Sequence, residues 1–226
     1  MEDFTKHLTI LNTADGSATL YSNELNETYH SSKGAYTESV HVFIQNGLRF
    51  FLESHAECRV LEVGFGTGLN TILAYQTSQE LNKKIFYVGL EPFPLDISII
   101  KQLRYENVLP SLLWNTFYDL HQAPWNIPIA INSQFIIEKN TSPLENYYSV
   151  NQFDVVFFDA FAPKKQPSLW IPERFEQLYS LMSVGGVLVS YCVCGSFRRA
   201  LLQAGFKIEK LPGPPGGKRE MLRAWK

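Results

Sequence analysis

Two short stretches of the chain concentrate residues that can do chemistry. Arg59-Val60-Leu61-Glu62-Val63 is an apolar run that ends in Gly64-Phe65-Gly66-Thr67-Gly68, with a helical pattern from Leu69. A strand, a glycine-rich turn and a helix put main-chain N–H groups at the carboxyl end of a sheet, where a ligand can be held. Gly64, Gly66 and Gly68 admit a ligand at distances where side chains would collide. The spacing G-x-G-x-G differs from the dinucleotide pattern G-x-G-x-x-G, and no Gly-Lys-Ser/Thr follows to make a P-loop. By itself such a turn is also compatible with a purely structural role.

An acidic residue at the next strand end strengthens the ligand reading. Ile85 to Leu90 is a second apolar run, and Glu91 closes it 23 residues beyond Gly68. A carboxylate there can accept both hydroxyls of a ribose. Glu62 stands inside the end of the first strand, where a charge is costly unless paired or hydrogen-bonded. It can meet the amino-acid end of a ligand or cap the turn. Together these residues describe an adenosine-containing cofactor without a pyrophosphate, and S-adenosylmethionine fits best.

The second stretch, Phe153-Asp154-Val155-Val156-Phe157-Phe158, leads into Asp159-Ala160-Phe161-Ala162-Pro163. A carboxylate, an aromatic and a proline at the tip of a central strand are similar to the Asp-Pro-Pro-Tyr loops of amino-group methyltransferases. Methyl transfer from a sulfonium is a one-step displacement, so the acceptor must present a lone pair in line with the methyl group. A primary alkylamine is mostly protonated at neutral pH and must lose a proton first. Asp159 can hold the amine by hydrogen bonds and orient its lone pair, and Phe161 can stack on a flat ring. The competing reading of Asp159 is a buried cap of its own turn. Cys192-x-Cys194 has no second pair or histidine spacing, and His7, His30, His41, His55 and His121 are scattered, so no metal site is expected. No nucleophile-elbow serine is present.

Short, continuously apolar strands alternating with helices predict a parallel sheet covered on both faces. Leu8 to Tyr21 reads as a hairpin turning at Asp15-Gly16. A helix after Gly34 places Val40, Phe43, Ile44, Leu48, Phe51 and Leu52 at helical spacing. The helix from Pro172 is expected to bury Phe175, Leu178, Tyr179 and Met182, with a strand from Gly186 to Tyr191. Pro110 to Tyr148 holds Trp114, Trp125 and several prolines, and only one strand, near Phe135 to Glu138, is placed there. Ser196 to Ala204 is a helix, followed by strands Phe206 to Leu211 and Arg219 to Trp225 around a Pro/Gly loop. A closing antiparallel pair favours a methyltransferase-type sheet over a plain dinucleotide fold. The expected fold is therefore α/β, Rossmann-like and of the class I methyltransferase type, with a mainly parallel seven-stranded sheet and a C-terminal antiparallel hairpin. A small hairpin-and-helix extension over residues 1–55 packs on a core domain of residues 56–226.

With 226 residues, 45% of them hydrophobic and 14% aromatic, the chain can bury a sizeable core, which excludes wholesale disorder. No apolar run approaches the roughly 18 residues of a membrane helix. The acidic start, Met1-Glu2-Asp3-Phe4, lacks the features of a signal peptide, and three cysteines suit a reducing cytoplasm. The formal charge of −2 hides a segregation. Residues 1–159 carry 9 Lys and Arg against 18 Asp and Glu, whereas residues 160–226 carry 11 against 4. A basic C-terminal third raises the expectation of an anionic partner.

Taken together, the chain resembles a known family. The carrying blocks are Val60 to Asn70, Glu91-Pro92-Phe93-Pro94-Leu95, and the long Phe158-Asp159-Ala160-Phe161-Ala162-Pro163-Lys164-Lys165-Gln166-Pro167-Ser168-Leu169-Trp170. Arg198-Arg199, Ala204-Gly205-Phe206 and Gly217 to Leu222 look like its last block, and Tyr21-Ser22 to Ser39 like its N-terminal segment. The family is the methyltransferase domain of the wobble-uridine tRNA modification enzymes, the MnmC/MnmD type. The resemblance implies S-adenosylmethionine-dependent methylation of the 5-aminomethyl group of (2-thio)uridine, giving 5-methylaminomethyl-(2-thio)uridine, with the tRNA anticodon stem-loop as partner.

Carried over by motif, Glu62, Gly64, Phe65, Gly66, Gly68, Glu91, Asn140 and Asp159 would surround the cofactor. Asp159 and Phe161 would face the reacting amine. Tyr29, Glu38, Lys164, Lys165, Arg198, Arg199, Lys218 and Arg219 would meet the RNA substrate. Two departures matter. Many members carry a fused flavin domain that prepares the aminomethyl group; this chain ends at Lys226, so flavin is not expected and upstream modification enzymes would supply the acceptor. The family usually has an acidic residue near the adenine, where this chain has Asn140. The competing readings are an aminopropyltransferase of the spermidine synthase type, which the basic C-terminal third disfavours, and a silent RNA-binding module on a methyltransferase fold. A nicotinamide dehydrogenase is disfavoured by the glycine spacing.

Overall fold

The computed structural model describes residues 5–226; the acidic start Met1 to Phe4 lies outside them. Two sheets are present. The smaller has three antiparallel strands in the order β1 (Leu8–Asn12), β2 (Ala18–Ser22) and β3 (Glu27–Thr28). Its first two strands form the expected hairpin, with Leu8 opposite Ser22 and Asn12 opposite Ala18. Asp15 in the turn accepts from Ser17 N and from Thr37 N, at 3.1 and 2.8 Å. The hairpin is thereby tied to the helix that follows it.

That helix, α1, is one continuous run made of Ala35–Glu38, the wider-wound Ser39–Arg49 and Phe50–Leu52. Widening shifts its buried face. Val42, Phe43, Ile44, Gly47 and Leu48 are buried and Val40 only half-buried, so a strict 3.6-residue period misplaces Val40. Gly47 has a steric reason: a Cβ there would stand 2.8 Å from a Val189 methyl and 3.2 Å from the Phe157 ring. The helix backbone lies almost on the main sheet, and the residues of α1 share one hydrophobic cluster with that sheet's face.

The main sheet contains β4 (Glu57–Val63), β5 (Lys84–Leu90), β6 (Pro128–Ala130), β7 (Phe135–Asn140), β8 (Phe153–Phe158), β9 (Met182–Ser190), β10 (Lys207–Pro212) and β11 (Glu220–Trp225). Their order is β10-β11-β9-β8-β4-β5-β7-β6. The β4–β5, β4–β8, β5–β7 and β8–β9 pairs are parallel, and β11 is antiparallel to both β9 and β10. Helices α2 (Leu69–Leu81), α3 (Ile97–Gln102), α4 (Trp114–Gln122), α5 (Pro172–Leu181) and α6 (Gly195–Gln203) complete the layers. Central β4 and β8 are buried over nearly their whole length, because both faces of the sheet are covered.

The mainly parallel α/β sheet and its closing hairpin are as expected, with three corrections. The sheet has eight strands rather than seven: short β6 pairs antiparallel to β7 at the edge, a position that tolerates Pro128. The stretch from Pro110 to Tyr148 therefore holds two strands and also α4, whose buried face is only Phe117 and Leu120. Met182 belongs to β9 and not to the helix, since its backbone is extended, and Tyr179 is half-buried where Leu181 is buried.

The layers have two hydrophobic clusters, one on each sheet face. In the second, Phe158, Trp170, Phe175 and Phe197 meet at ring distances of 4.9 to 6.5 Å. Burying each such ring contributes roughly 1.5–3 kcal/mol. The cluster anchors the segment that follows β8, which carries Asp159.

Candidate active site

Parallel strands β4, β5 and β8 all end on the same side, so their terminal residues converge there. Gly64 continues β4, Glu91 continues β5 and Asp159 continues β8. Gly64 N and Phe65 N donate to Leu90 O, and Asp159 N donates to Val63 O, at 3.0 to 3.1 Å. The turn after β4 closes on the turn after β8: a Cβ on Gly64 would stand 2.7 Å from Asp159 O, and its φ is +94°. Only glycine fits there.

These turns border an open cavity whose empty space, counted out to solvent, is about 710 Å³, lined by Tyr29, Gly64, Phe65, Gly66, Asn70, Glu91, Asp159 and Phe161, with His30, Leu144, Gln166 and Leu169 among the rest. A second cavity of about 620 Å³ adjoins it, lined by Glu27, Glu38, Tyr191 and Lys218. Tyr29, His30 and Phe161 line both. The Tyr29 and Phe161 rings meet edge to face at 4.9 Å, forming the wall between the two spaces.

Glu91 is buried and accepts from Gly66 N and Phe93 N, each at 3.0 Å through a different oxygen. Burial outweighs those bonds and pushes its carboxyl up to about 7. Glu62 lies beneath the cavity, 1% exposed, and is partnered as a buried charge must be. Asn70 Nδ2 and Tyr87 OH donate to it at 2.8 Å, and Thr71 Oγ1 at 3.4 Å. Burial still pushes it up to about 8. The same Asn70 Nδ2 donates to Asp159 Oδ2 at 2.8 Å. Asp159 is held well above the usual carboxylate range, first by burial and then by the charges of Glu62 and Glu38.

The segment after Asp159 is tied down at several points. Trp170 Nε1 donates to Phe161 O and Tyr191 OH to Ala160 O, both at 2.8 Å. Such a turn presents its carboxylate on a rigid frame. The glycine turn is braced from the other side. His30 Nε2 and Tyr105 OH meet Thr67 Oγ1 at 3.5 and 3.0 Å, and His121 Nε2 donates to Thr67 O at 3.0 Å. Burial pushes both histidines down to about 4, so both are neutral near pH 7.

The structure brings most of the anticipated residues together. Gly64, Phe65, Gly66, Glu91, Asp159, Phe161 and Tyr29 line the first cavity, and Glu38 and Lys218 the second. Gly68 stands off the lining, against His121 and Phe65, at the start of α2. Asn140 also stands off it: its Nδ2 donates to Glu138 and its Oδ1 accepts from Ser142 N, while its carbonyl accepts from Glu91 N. Lys164, Lys165, Arg198, Arg199 and Arg219 line neither cavity. Lys164, Arg199 and Arg219 are exposed, Lys165 and Arg198 half-buried. Sequence reasoning missed Asn70 as a bridge and His30 as a lining residue. No local signal marks His30, because its partners Thr19 and Thr67 come from two distant segments.

Residues 115–226 match a family model described as S-adenosyl-L-methionine-dependent methyltransferase. Over its C-terminal half the chain is thus similar to S-adenosyl-L-methionine-dependent methyltransferases. It is 30% identical over 219 residues to the tRNA 5-methylaminomethyl-2-thiouridine biosynthesis bifunctional protein MnmC of Idiomarina loihiensis, a match covering 89% of this chain and 36% of that relative. This methyltransferase thus spans little more than a third of that relative's length. The solved structure of MNMC2 from Aquifex aeolicus superposes with a TM-score of 0.81 at 25% identity, covering 99% of this chain and 70% of that one. Spermidine synthase from Thermotoga maritima shares the fold, with a TM-score of 0.53 at 12% identity over 96% of this chain and 68% of its own. Its distance in sequence, set against the MnmC match, does not favour the aminopropyltransferase reading.

Proposed function

We propose that this methyltransferase N-methylates the 5-aminomethyl group of the wobble (2-thio)uridine of tRNA, with S-adenosyl-L-methionine as donor. The observation that carries the reading is Asp159, a carboxylate of raised proton affinity on a rigid turn in the wall of the first cavity, where a protonated amine has to be deprotonated and aimed. The resemblance to the MnmC protein supplies the acceptor class.

Several features support the cofactor. Glu91 keeps lone pairs free on both oxygens for a pair of ribose hydroxyls. Among the described residues Asn70 Oδ1 is a buried acceptor without a partner, and Asn70 lines the cavity, so an incoming ammonium group such as that of a methionyl moiety would satisfy it. Gly64 and Gly66 leave main chain open to close approach. The bound cofactor supplies an electrophilic methyl group on a sulfonium.

The protein's own part is positioning and proton handling. Asn70 fixes Asp159 through Oδ2, leaving Oδ1 to accept a hydrogen bond from the substrate ammonium. Asp159 would take the proton, leaving the nitrogen lone pair aimed at the methyl group that the bound cofactor would supply. An elevated carboxyl is a better match to an alkylammonium than an ordinary one. The second cavity receives the pyrimidine, which must leave the anticodon stack to reach it. The basic Lys164, Lys165, Arg198, Arg199, Lys218 and Arg219 hold the RNA backbone.

The test is methyl transfer from radiolabelled S-adenosyl-L-methionine to bulk tRNA from cells lacking this activity, followed by nucleoside mass spectrometry. Label on 5-aminomethyl-uridine is expected. Label on a free amine but not on tRNA would discard the RNA substrate.

A further inference from the structure

We infer that Glu38 is a specificity determinant of the second cavity, selecting acceptors whose C5 arm is cationic and refusing arms that carry a carboxylate. This rests on the tRNA methyltransferase reading for the identity of the pyrimidine, but not for the charge of the pocket.

The argument starts from an incompletely used carboxylate. Glu38 is 8% exposed, yet its Oε2 accepts only Ser31 N, at 2.9 Å, and among the described residues no hydrogen bond reaches Oε1. Both residues line the second cavity. A carboxylate kept this deep with an open oxygen is costly unless a cation or donor arrives there. Glu38 is also near enough to Asp159 for its charge to be felt there, and the two carboxylates line adjoining cavities that share Tyr29, His30 and Phe161. Lys218 opposes them from the rim: its Nζ sits 3.9 Å over the Tyr191 ring and its charge is felt at Glu38. The neutral His30 adds no cation to the wall. The interior therefore has an excess of acidic groups, which attracts an alkylammonium arm and repels an anionic one.

Glu38 stands apart from the first cavity. It lines the second cavity and not the first, whereas Asp159 lines the first and not the second. Its backbone contact survives in Glu38→Gln, since the amide oxygen still accepts from Ser31 N.

The experiment measures binding of the full chain, with S-adenosylhomocysteine present to prevent turnover, to three anticodon stem-loop RNAs. They carry 5-aminomethyl, 5-hydroxymethyl or 5-carboxymethyl uridine at the wobble position. The wild type is expected to bind the amine at least tenfold tighter than the hydroxyl, and the carboxylate most weakly. Glu38→Gln is expected to bring the three within about threefold while S-adenosylhomocysteine affinity stays unchanged. Lys218→Ala, on an exposed loop, is expected to widen the preference for the amine, so a poorly folding Gln variant does not end the test. An arm preference that neither substitution alters overturns the inference. Methyl transfer by the wild type is followed in parallel. Arm preference without transfer would sink the proposed function alone; transfer with a preference indifferent to Glu38 would sink this inference alone. No binding of any stem-loop sinks both.

Discussion

Glu62 and Asp159 share one donor: Asn70 Nδ2 lies 2.8 Å from an oxygen of each. Two carboxylates are thus held on either side of a single amide, and the charge of Glu62 adds to the burial that raises the proton affinity of Asp159. The pairing links a residue buried under the glycine turn to the residue proposed to face the acceptor. Removing a bridging hydrogen bond of this kind leaves a buried acceptor unsatisfied, a cost of about 1–3 kcal/mol.

Asp159→Asn should lower kcat by about 10²–10⁴-fold, the usual worth of a positioned proton acceptor, while cofactor affinity stays within threefold. Equal loss of cofactor affinity would place Asp159 in the cofactor's contact shell instead. The acid limb of kcat/KM should lie above the range of an ordinary carboxylate, because Asp159 acts in its ionised form and its folded pKa is raised. Removing the nearby charge in Glu38→Gln lowers that pKa, so the limb moves to lower pH. The free substrate's own ionisation stays fixed and cannot mimic the shift.

Cofactor binding should tighten as pH rises from 6 to 8. Glu91 titrates at about 7, and its ionised form accepts from two hydroxyls where the protonated form competes as a donor. Calorimetric titration of S-adenosylhomocysteine across that range should show the trend, and Glu91→Gln should flatten it. A wild-type affinity independent of pH would remove Glu91 from the ribose site.

The protein without cofactor should lose stability as pH rises. Glu62 has a folded pKa of about 8 against an ordinary 4.5, so the native state holds a proton the unfolded chain has released. The stabilisation is complete below about 4.5 and is lost as pH rises through about 8. Melting temperatures between pH 5 and 8 should therefore fall, and Glu62→Gln should reduce the slope. A slope unchanged in that variant would assign the effect to other groups.

Affinity for tRNA should fall steeply with salt, with a log–log slope of about −0.7 to −0.9 per phosphate neutralised. Replacing Lys164 and Lys165, or Arg198 and Arg199, by alanine should each make the slope shallower by up to about two such contacts. Lys218 differs, because its ammonium stands over Tyr191 at the cavity rim. A salt-independent affinity would remove the basic surface from the binding model.

The parts of the fold legible in the sequence are those where one local pattern decides the outcome. Strand β8 is legible because four buried residues, Val155 to Phe158, run unbroken into Asp159. The same holds for β4 and the turn at Gly64, where the need for glycine is steric and local. Edge strand β6 and helix α4 were not legible, since three partly exposed residues and a two-residue buried face give no periodic signal. Of the site, Gly64, Glu91 and Asp159 announced themselves at strand ends. His30 and the bridging role of Asn70 did not, because both depend on contacts between segments that only the folded sheet brings together.

The two cavities draw on different lengths of chain. The first has its last lining residue at Leu169, whereas the second still needs Tyr191 and, in the loop between β10 and β11, Lys218. During synthesis from the N-terminus, every residue that lines the first space has therefore emerged about fifty residues before the second can be walled. A growing chain thus holds every residue of the first lining, and the Tyr29–Phe161 wall between the spaces, before the rim of the second exists, while the brace from Tyr191 to Ala160 arrives only with that rim.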